Sequence, residues 1–196
     1  MYGTVSEDVA GVVRAHLIST IGTDPETGSV TFLGLEPVDV LRFGPDPTGL
    51  VRYATVGCSR HPMGDPGAMV TDPDRGPRAE LMLSIRGNGA GVHKKLAVLA
   101  AAPAVEGVVL VADALLDMGE PMWDGAPFTA VLLGRSSEID ELELAEPADP
   151  VVFFDVVPIT QTEAAWVRLR GAQALRDAWD EAGIDVRDPG RAAAAL

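Results

Sequence analysis

Cysteine occurs once in these 196 residues, at Cys58. A lone thiol forms no internal disulfide, which suits a reducing compartment. Lysine occurs twice and asparagine once, while Ala, Gly, Val and Arg abound, a bias expected of a high-G+C bacterial genome. Basic residues are scarce altogether: 15 Lys and Arg stand against 29 Asp and Glu, a formal net charge of −14. Such a field repels phosphate backbones and anionic lipid, which argues against nucleic acid and membrane partners. Long hydrophobic runs are missing too, since a charged residue interrupts each one well short of the roughly eighteen residues a spanning helix needs. With no basic-then-apolar pattern at the start, the expected location is the cytoplasm.

What remains is enough for a real core: 47% of the residues are apolar, and one domain is the natural count at this length. Thr4-Val5-Ser6-Glu7 fits a capping box, and Val9, Val12, Val13, His16 and Leu17 recur on one helical face, predicting an amphipathic helix over about 5–20. Val30–Leu33, Val38–Phe43 and Leu50–Val56 then read as a meander of short antiparallel strands between Gly, Pro and Asp clusters. The Pro- and Gly-dense stretch 58–77 reads as a long loop without regular structure. Beyond it the pattern predicts a strand at Glu80–Ile85, a helix at Val92–Ala102 and a buried strand at Val108–Ala112. Apolar runs at Phe128–Leu133 and Val151–Val157 add two more strands, the last ended by Pro158. A helix starts at Thr160 or Thr162, breaks or bends at Gly171, and closes at Gly183. This order predicts an α+β fold, a mixed and largely antiparallel sheet covered by helices, as a single domain over 5–184. Residues 185–196 hold a Pro-Gly pair and nothing large to bury before Leu196, and are expected to be flexible.

Two segments about twenty residues apart carry the most specific pattern. Gly57-Cys58-Ser59-Arg60-His61-Pro62-Met63 leaves the third predicted strand, and Glu80-Leu81-Met82 opens the next. A Gly-x-Ser-x-x-Pro-Met loop followed by a strand beginning Glu-Leu-Met resembles the signature of the suppressor of fused family. Further on, Pro158, Glu163 and Gly171 with Leu175 resemble that family's exit from its C-terminal strand, the acidic residue of the next helix and a Gly-x-x-x-Leu helix. The resemblance runs in islands from about residue 10 to about residue 180. It implies a protein-binding module and not an enzyme. Animal members bind a peptide segment of a transcription factor, and bacterial single-domain members stand beside toxins and are thought to act as immunity proteins.

The residues also support their own reading. Glycine at 57 permits a sharp exit from the strand, Ser59 can cap nearby amides, and Met63 returns the loop to the core. Glu80, if buried, needs a partner, which Arg78 or Arg52 could supply as an ion pair. Cys58 and His61 have the chemistry of a nucleophile and its base, yet no third group to orient the histidine can be named, and Cys58 is more simply a small buried residue. His16, His61 and His93 lie far apart without ligand spacing, and no metal site is expected. Gly87-Asn88-Gly89-Ala90-Gly91, between a predicted strand and a predicted helix, supports a rival reading as a nucleotide-binding enzyme using the 87–91 loop. A Gly-x-Gly-x-x-Gly fingerprint from Gly87 requires glycine where Val92 stands, which sets that reading second. No catalytic residue and no cofactor is therefore expected.

From Ser136 to Pro150 there are six carboxylates and no basic residue: Glu138, Asp140, Glu141, Glu143, Glu146 and Asp149. Such a run is either a solvated loop or an acidic patch that speeds docking onto a basic protein surface. The expected function is a non-enzymatic binding domain, an immunity protein that neutralises a basic toxin by surface occlusion, with Glu138, Asp140, Glu141, Glu143 and Glu146 as docking residues. A third reading is a scaffold that self-associates through an exposed strand edge. The sequence sets no oligomeric state.

Overall fold

Apolar side chains alternate along the central strands so that both faces of the sheet are buried, and each face recruits its own helices. The computed structural model describes residues 8–64, 72–87 and 89–196; the capping box expected at Thr4 to Glu7 lies outside them. Helix α1 spans Val9–Ile21 and is followed by strands β1 Glu26–Val30, β2 Val38–Phe43, β3 Leu50–Val56 and β4 Arg78–Arg86. Helix α2, Val92–Glu106, leads to β5 Leu115–Asp117, β6 Ala130–Arg135 and β7 Val151–Ile159, and the chain closes with α3 Gln161–Arg170 and α4 Ala172–Ala182. The strands form one open sheet in the order β1-β2-β3-β4-β7-β6-β5. Five of its pairings are antiparallel, and β4 runs parallel to β7. This is the single-domain α+β architecture expected, with a mixed and largely antiparallel sheet.

Val38, Val40, Val51, Tyr53, Leu81 and Leu83 point to one face, where α2 seats Val92, Leu96 and Leu99. Leu41, Phe43, Ala54, Met82, Val151 and Phe153 point to the other, under Val13 and Leu17 of α1. Ala130, Leu132 and Ile159 extend that second face beneath Val167, Leu175 and Trp179 of α3 and α4. Burying one Leu or Phe contributes about 1.5–3 kcal/mol, so these three clusters carry most of the stabilisation. Among the described residues no helix is long and apolar enough to cross a membrane.

Several expected elements shift once pairing is visible. The first strand is the polar Glu26–Val30, set by its register from Glu26 opposite Arg42 to Val30 opposite Val38; Leu33 lies beyond it, fully exposed. Val108–Ala112 is not a strand. It lies along the core with Leu110 buried, and pairing with β6 begins only after the turn at Asp113, whose φ is 66°. Apolar content without a period cannot separate a strand from a covering segment. Helix α2 runs past Pro103 to Glu106, and the 58–77 loop opens with a single 3-10 turn at Cys58–Arg60, its residues 65–71 lying outside the described ones.

Pro158 does not end its strand. Pairing of β4 with β7 stops at Met82–Asp155, whereas β7 continues beside β6 to Ile159. The Pro158 carbonyl accepts from Arg191 at 2.9 Å, so the missing N–H faces the side that β4 has left, where no ladder bond is lost.

The C-terminal helices answer to Glu163. Thr160 and Glu163 form a reciprocal capping box, and the same carboxylate accepts Trp179 Nε1 at 3.0 Å and the Ala194 amide at 3.1 Å. Arg191 completes it bidentately at 2.7 and 3.0 Å, its guanidinium stacked over Phe128 and Trp179. Residues 185–196, expected to be flexible for want of a large apolar anchor, thus carry a buried charged one. Arg191 and these hydrogen bonds hold the Glu163 carboxyl below its ordinary range against the opposing effect of burial. A depressed carboxyl stabilises fully above its unfolded pKa and loses that contribution as the pH falls through its folded one. Arg191→Ala is therefore expected to cost about 3–5 kcal/mol at neutral pH, because it leaves a buried charge unpaired. Urea denaturation between pH 3 and pH 7 should show that cost shrinking on acidification; a variant as stable as the parent at pH 7 refutes the pairing.

Candidate protein-binding surface

The motif loop is organised by a buried carboxylate. The β3–β4 ladder ends at Ala54–Met82, and there Thr55 Oγ1 takes the place of a backbone partner, accepting the Leu81 amide at 2.9 Å and donating to Glu80 Oε2 at 2.5 Å. Glu80 Oε1 accepts the Gly57 amide at 2.8 Å, the Ser59 amide at 3.0 Å and the Ser59 hydroxyl at 2.6 Å. Glu80, Thr55 and Ser59 are all fully buried. The partner of Glu80 is thus a ring of neutral donors and not an arginine. Arg78 instead donates to the carbonyls of Ser59, Arg60 and Asp74, and Arg52 pairs with Asp46 at 3.0 Å and Glu138 at 2.7 Å. Burial pushes the Glu80 carboxyl up, and its four hydrogen bonds oppose that shift.

Gly57 turns the chain at φ 137°, where a Cβ would stand 2.9 Å from the Arg60 guanidinium and 3.2 Å from the Pro37 carbonyl. Only glycine fits both the angle and the space. The turn carries Pro62 and Met63 back to the sheet, where Met63 is buried, its Sδ accepting the Leu110 amide at 3.3 Å and its own amide donating to the Pro77 carbonyl at 2.7 Å. Leu81 and Met82, the other motif positions on β4, fill the two opposite core faces.

The outer side of this turn walls a groove of about 270 Å³, facing Leu35, Glu36 and Val38 across it, with Ala100, Ala101, Pro103 and Ala104 of α2 as the floor. Small side chains at the end of α2 keep that floor low. The run of alanines around Pro103 was the available sequence signal, and it reads as a helix end until the loop is seen against it. Cys58 and His61 both line the groove, and no hydrogen bond joins them among the described residues. Burial, then the nearby Glu80, push the Cys58 thiol well up. His61 turns outward to within 3.2 Å of the Glu36 carboxylate. Among the described residues no three His, Cys, Asp or Glu side chains are grouped to hold a metal.

The acidic segment lies elsewhere, beside α1. Ile139 is buried against α1 and Leu142 bridges to Val151, which pins the segment down. Glu138 is half-buried and held by Arg52 and by Arg187 at 3.0 Å, and Glu141 pairs with Arg135. Asp140, Glu143 and Glu146 are exposed, their carboxylates unpaired among the described residues. The Asp140 carbonyl accepts His16 Nε2 at 3.2 Å, and the His16 ring stacks on Phe153. Glu138, Arg52 and Asp46 also line a cleft of about 630 Å³ at the C-terminal end of α1. The other motif residues sit at the C-terminal cluster: the Pro158 carbonyl and the Glu163 carboxylate both hold Arg191, and Gly171 joins α3 to α4.

The profile of the family described as suppressor of fused protein matches residues 34–192. The chain belongs to the suppressor of fused family. A search of curated proteins returned no match. Among solved structures, a suppressor of fused homologue from Neisseria gonorrhoeae is 21% identical, with 96% of this chain and 98% of that one covered at a TM-score of 0.74. A chain from the crystal structure of the Sufu–Fu complex is 11% identical, with 94% and 91% covered and a TM-score of 0.68. Drosophila suppressor of fused is 13% identical at a TM-score of 0.58, with 81% of this chain covering 43% of that longer protein. At these identities the likeness is one of fold.

Removing the Glu80 carboxylate should collapse the motif loop. Glu80→Ala leaves buried donors on Thr55, Gly57 and Ser59 without an acceptor, an expected loss of about 3 kcal/mol or more in chemical denaturation, and Glu80→Gln should lose less. Because the folded-state pKa of Glu80 is raised, the parent should gain stability relative to Glu80→Gln as the pH falls through that value. Equal stability of the alanine variant would contradict the donor ring.

Proposed function

We propose that this protein is a non-enzymatic binding module whose groove beside the motif loop receives another protein, in a bacterial cytoplasm, as an immunity protein covering the working surface of a basic toxin. The observation that carries this reading is the apolar groove between Pro62 and Ala104, built on a turn that the Glu80 carboxylate holds by hydrogen bonds to Gly57 and Ser59. A concave wall held in this way spares the ordering cost that a mobile loop would bring to an interface. The fold it stands on is shared with a chain crystallised in a Sufu–Fu complex, and the family's binding role supports the same reading here.

Charge supports the choice of partner. A net −14 favours encounter with a cationic surface, and the exposed carboxylates of Asp140, Glu143 and Glu146 are free to steer it. Glu138 and Glu141 contribute less to steering, since Arg52, Arg187 and Arg135 already neutralise them. Association by the free edge of β1 is the scaffold alternative. It predicts a dimer in size-exclusion chromatography of the purified protein and no hetero-partner.

The test is co-purification from the source lysate with the tagged full-length chain, followed by binding kinetics on the recovered partner. Ala104→Arg, which fills the groove from an exposed position, should abolish capture without lowering the melting temperature. Reversing Asp140, Glu143 and Glu146 to lysine should slow association about tenfold at low salt and little at high salt, leaving dissociation nearly unchanged. Capture that survives Ala104→Arg rules out the groove, and an unchanged association rate rules out acidic steering.

A further inference from the structure

Strands β4 and β7 part inside the sheet. They pair from Arg78–Val151 to Met82–Asp155 and no further, because β4 runs on beside β3 to Arg86 and β7 beside β6 to Ile159. Two interior strand edges thus face each other across a fork, and the segment that follows α4 fills it. Its Arg187 carbonyl accepts the Arg86 amide at 2.8 Å on the β4 side, and its Arg191 donates to the Pro158 carbonyl at 2.9 Å on the β7 side. A cavity of about 100 Å³ remains in the fork, bordered by Met82, Ser84, Asp155, Val157 and Arg187.

The two ends of this segment are held far more firmly than its middle. At one end Ile184 packs against the α3 and α4 cluster, its amide donating to the Trp179 carbonyl at 2.9 Å. At the other Arg191 is buried on Glu163. Between them Asp185 pairs with Arg86 at 2.8 Å and Arg187 with Glu138 at 3.0 Å, through side chains that are 30% to 46% exposed. Pairs so open to water are screened by salt and contribute little each.

What the middle covers also opposes its closure. The Asp155 carboxylate points into the fork, where the Ser136 hydroxyl and the Ser137 amide donate to it, Glu138 stands nearby as a like charge and Arg187 partly offsets that charge from above. The remaining cations on this face are committed elsewhere. Arg52, opposite Ser84 in register, holds Asp46 and Glu138; Arg176 of α4, which overlies Gly134 opposite Asp155, holds Asp113 and the Leu133 carbonyl. Burial pushes the Asp155 carboxyl up, Glu138 adding to that shift and the two serines opposing it.

We propose that residues 184–190 are a flap, hinged at Ile184 and Arg191, that opens over the fork between β4 and β7 while the rest of the fold stays closed. Salt releases it by screening the Arg86–Asp185 and Glu138–Arg187 pairs, and proton uptake at Asp155 holds it shut. Opening uncovers the Arg86 amide, Ser84 and the Asp155 carboxylate. A carboxyl raised in the closed state favours closure below its open-state pKa, and that contribution is lost as the pH rises through the closed-state one. Asp185, which Arg86 holds below the ordinary carboxylate range, stays charged throughout that window. The flap is independent of the groove beside the motif loop.

Amide exchange of the full-length protein, followed by NMR, tests the flap. The Arg86 amide reports its closure and the preceding residue, Ile85, reports the β3–β4 ladder; their ratio cancels the common effect of pH on intrinsic exchange. Arg86 should exchange at least about tenfold faster than Ile85, and about threefold faster again in about 500 mM salt than in about 20 mM, with Ile85 unchanged. Arg187→Ala should speed Arg86 about threefold at low salt. Asp155→Asn should slow it about threefold at pH 7 and abolish the gain in protection that the parent shows on acidification to pH 5. The flap is overturned if Arg86 exchanges as slowly as Ile85 or as fast as an unprotected amide, or if neither salt nor Arg187→Ala moves its rate relative to Ile85. A pH dependence in Asp155→Asn equal to the parent's overturns the part assigned to Asp155.

Discussion

Placing a carboxylate where water cannot reach it obliges the chain to bring donors to it, and Glu80 imposes that obligation on the whole region around β3 and β4. Thr55, still paired with β2 but beyond the end of the β3–β4 ladder, turns its hydroxyl to the carboxylate, Gly57 takes an angle that only glycine holds comfortably, and Ser59 turns both its amide and its hydroxyl inward. The path of Pro62 and Met63 follows from that geometry, and so does the wall that faces α2. A surface available to a partner is thus shaped by an internal electrostatic need.

The second buried carboxylate, Glu163, meets the same need differently. It draws on a cation, Arg191, in addition to neutral donors, and in doing so ties the C-terminal segment to α3, α4 and β7. Neutral donors fix a loop locally. An arginine reached from far along the chain fixes two segments to each other. The two solutions divide the molecule between them, one governing the motif loop and the other the far end of the sheet.

Legibility in the sequence followed the range of the interactions involved. Val38–Phe43 and Leu50–Val56 were read to the residue because alternation and turn residues are local signals, and a helix start at Thr160 or Thr162 was legible for the same reason, the choice of Thr160 and its reciprocal cap with Glu163 being added by the structure. Pro158 misled because its tolerance depends on where β4 stops pairing, which lies nowhere near it in sequence. Val108–Ala112 misled because a covering segment and a strand share the same apolar content. At the candidate site the motif positions were legible by resemblance, whereas the partner of Glu80 and the pairing of Glu138 with Arg52 and Arg187 were not. Each of these joins residues whose proximity is created by folding.

The single parallel pairing in the sheet has a consequence for assembly. Strands β1 to β4 form one antiparallel run and β5 to β7 another, and the two meet only where residues 78–82 lie against 151–155. The antiparallel neighbours are consecutive in the chain, whereas this seam must close across α2, β5 and β6, so the larger entropic cost of forming the sheet is concentrated on one pair of strands. The molecule is in that sense two ribbons joined along one line, and the order in which its contacts can form is already written in the direction of β7.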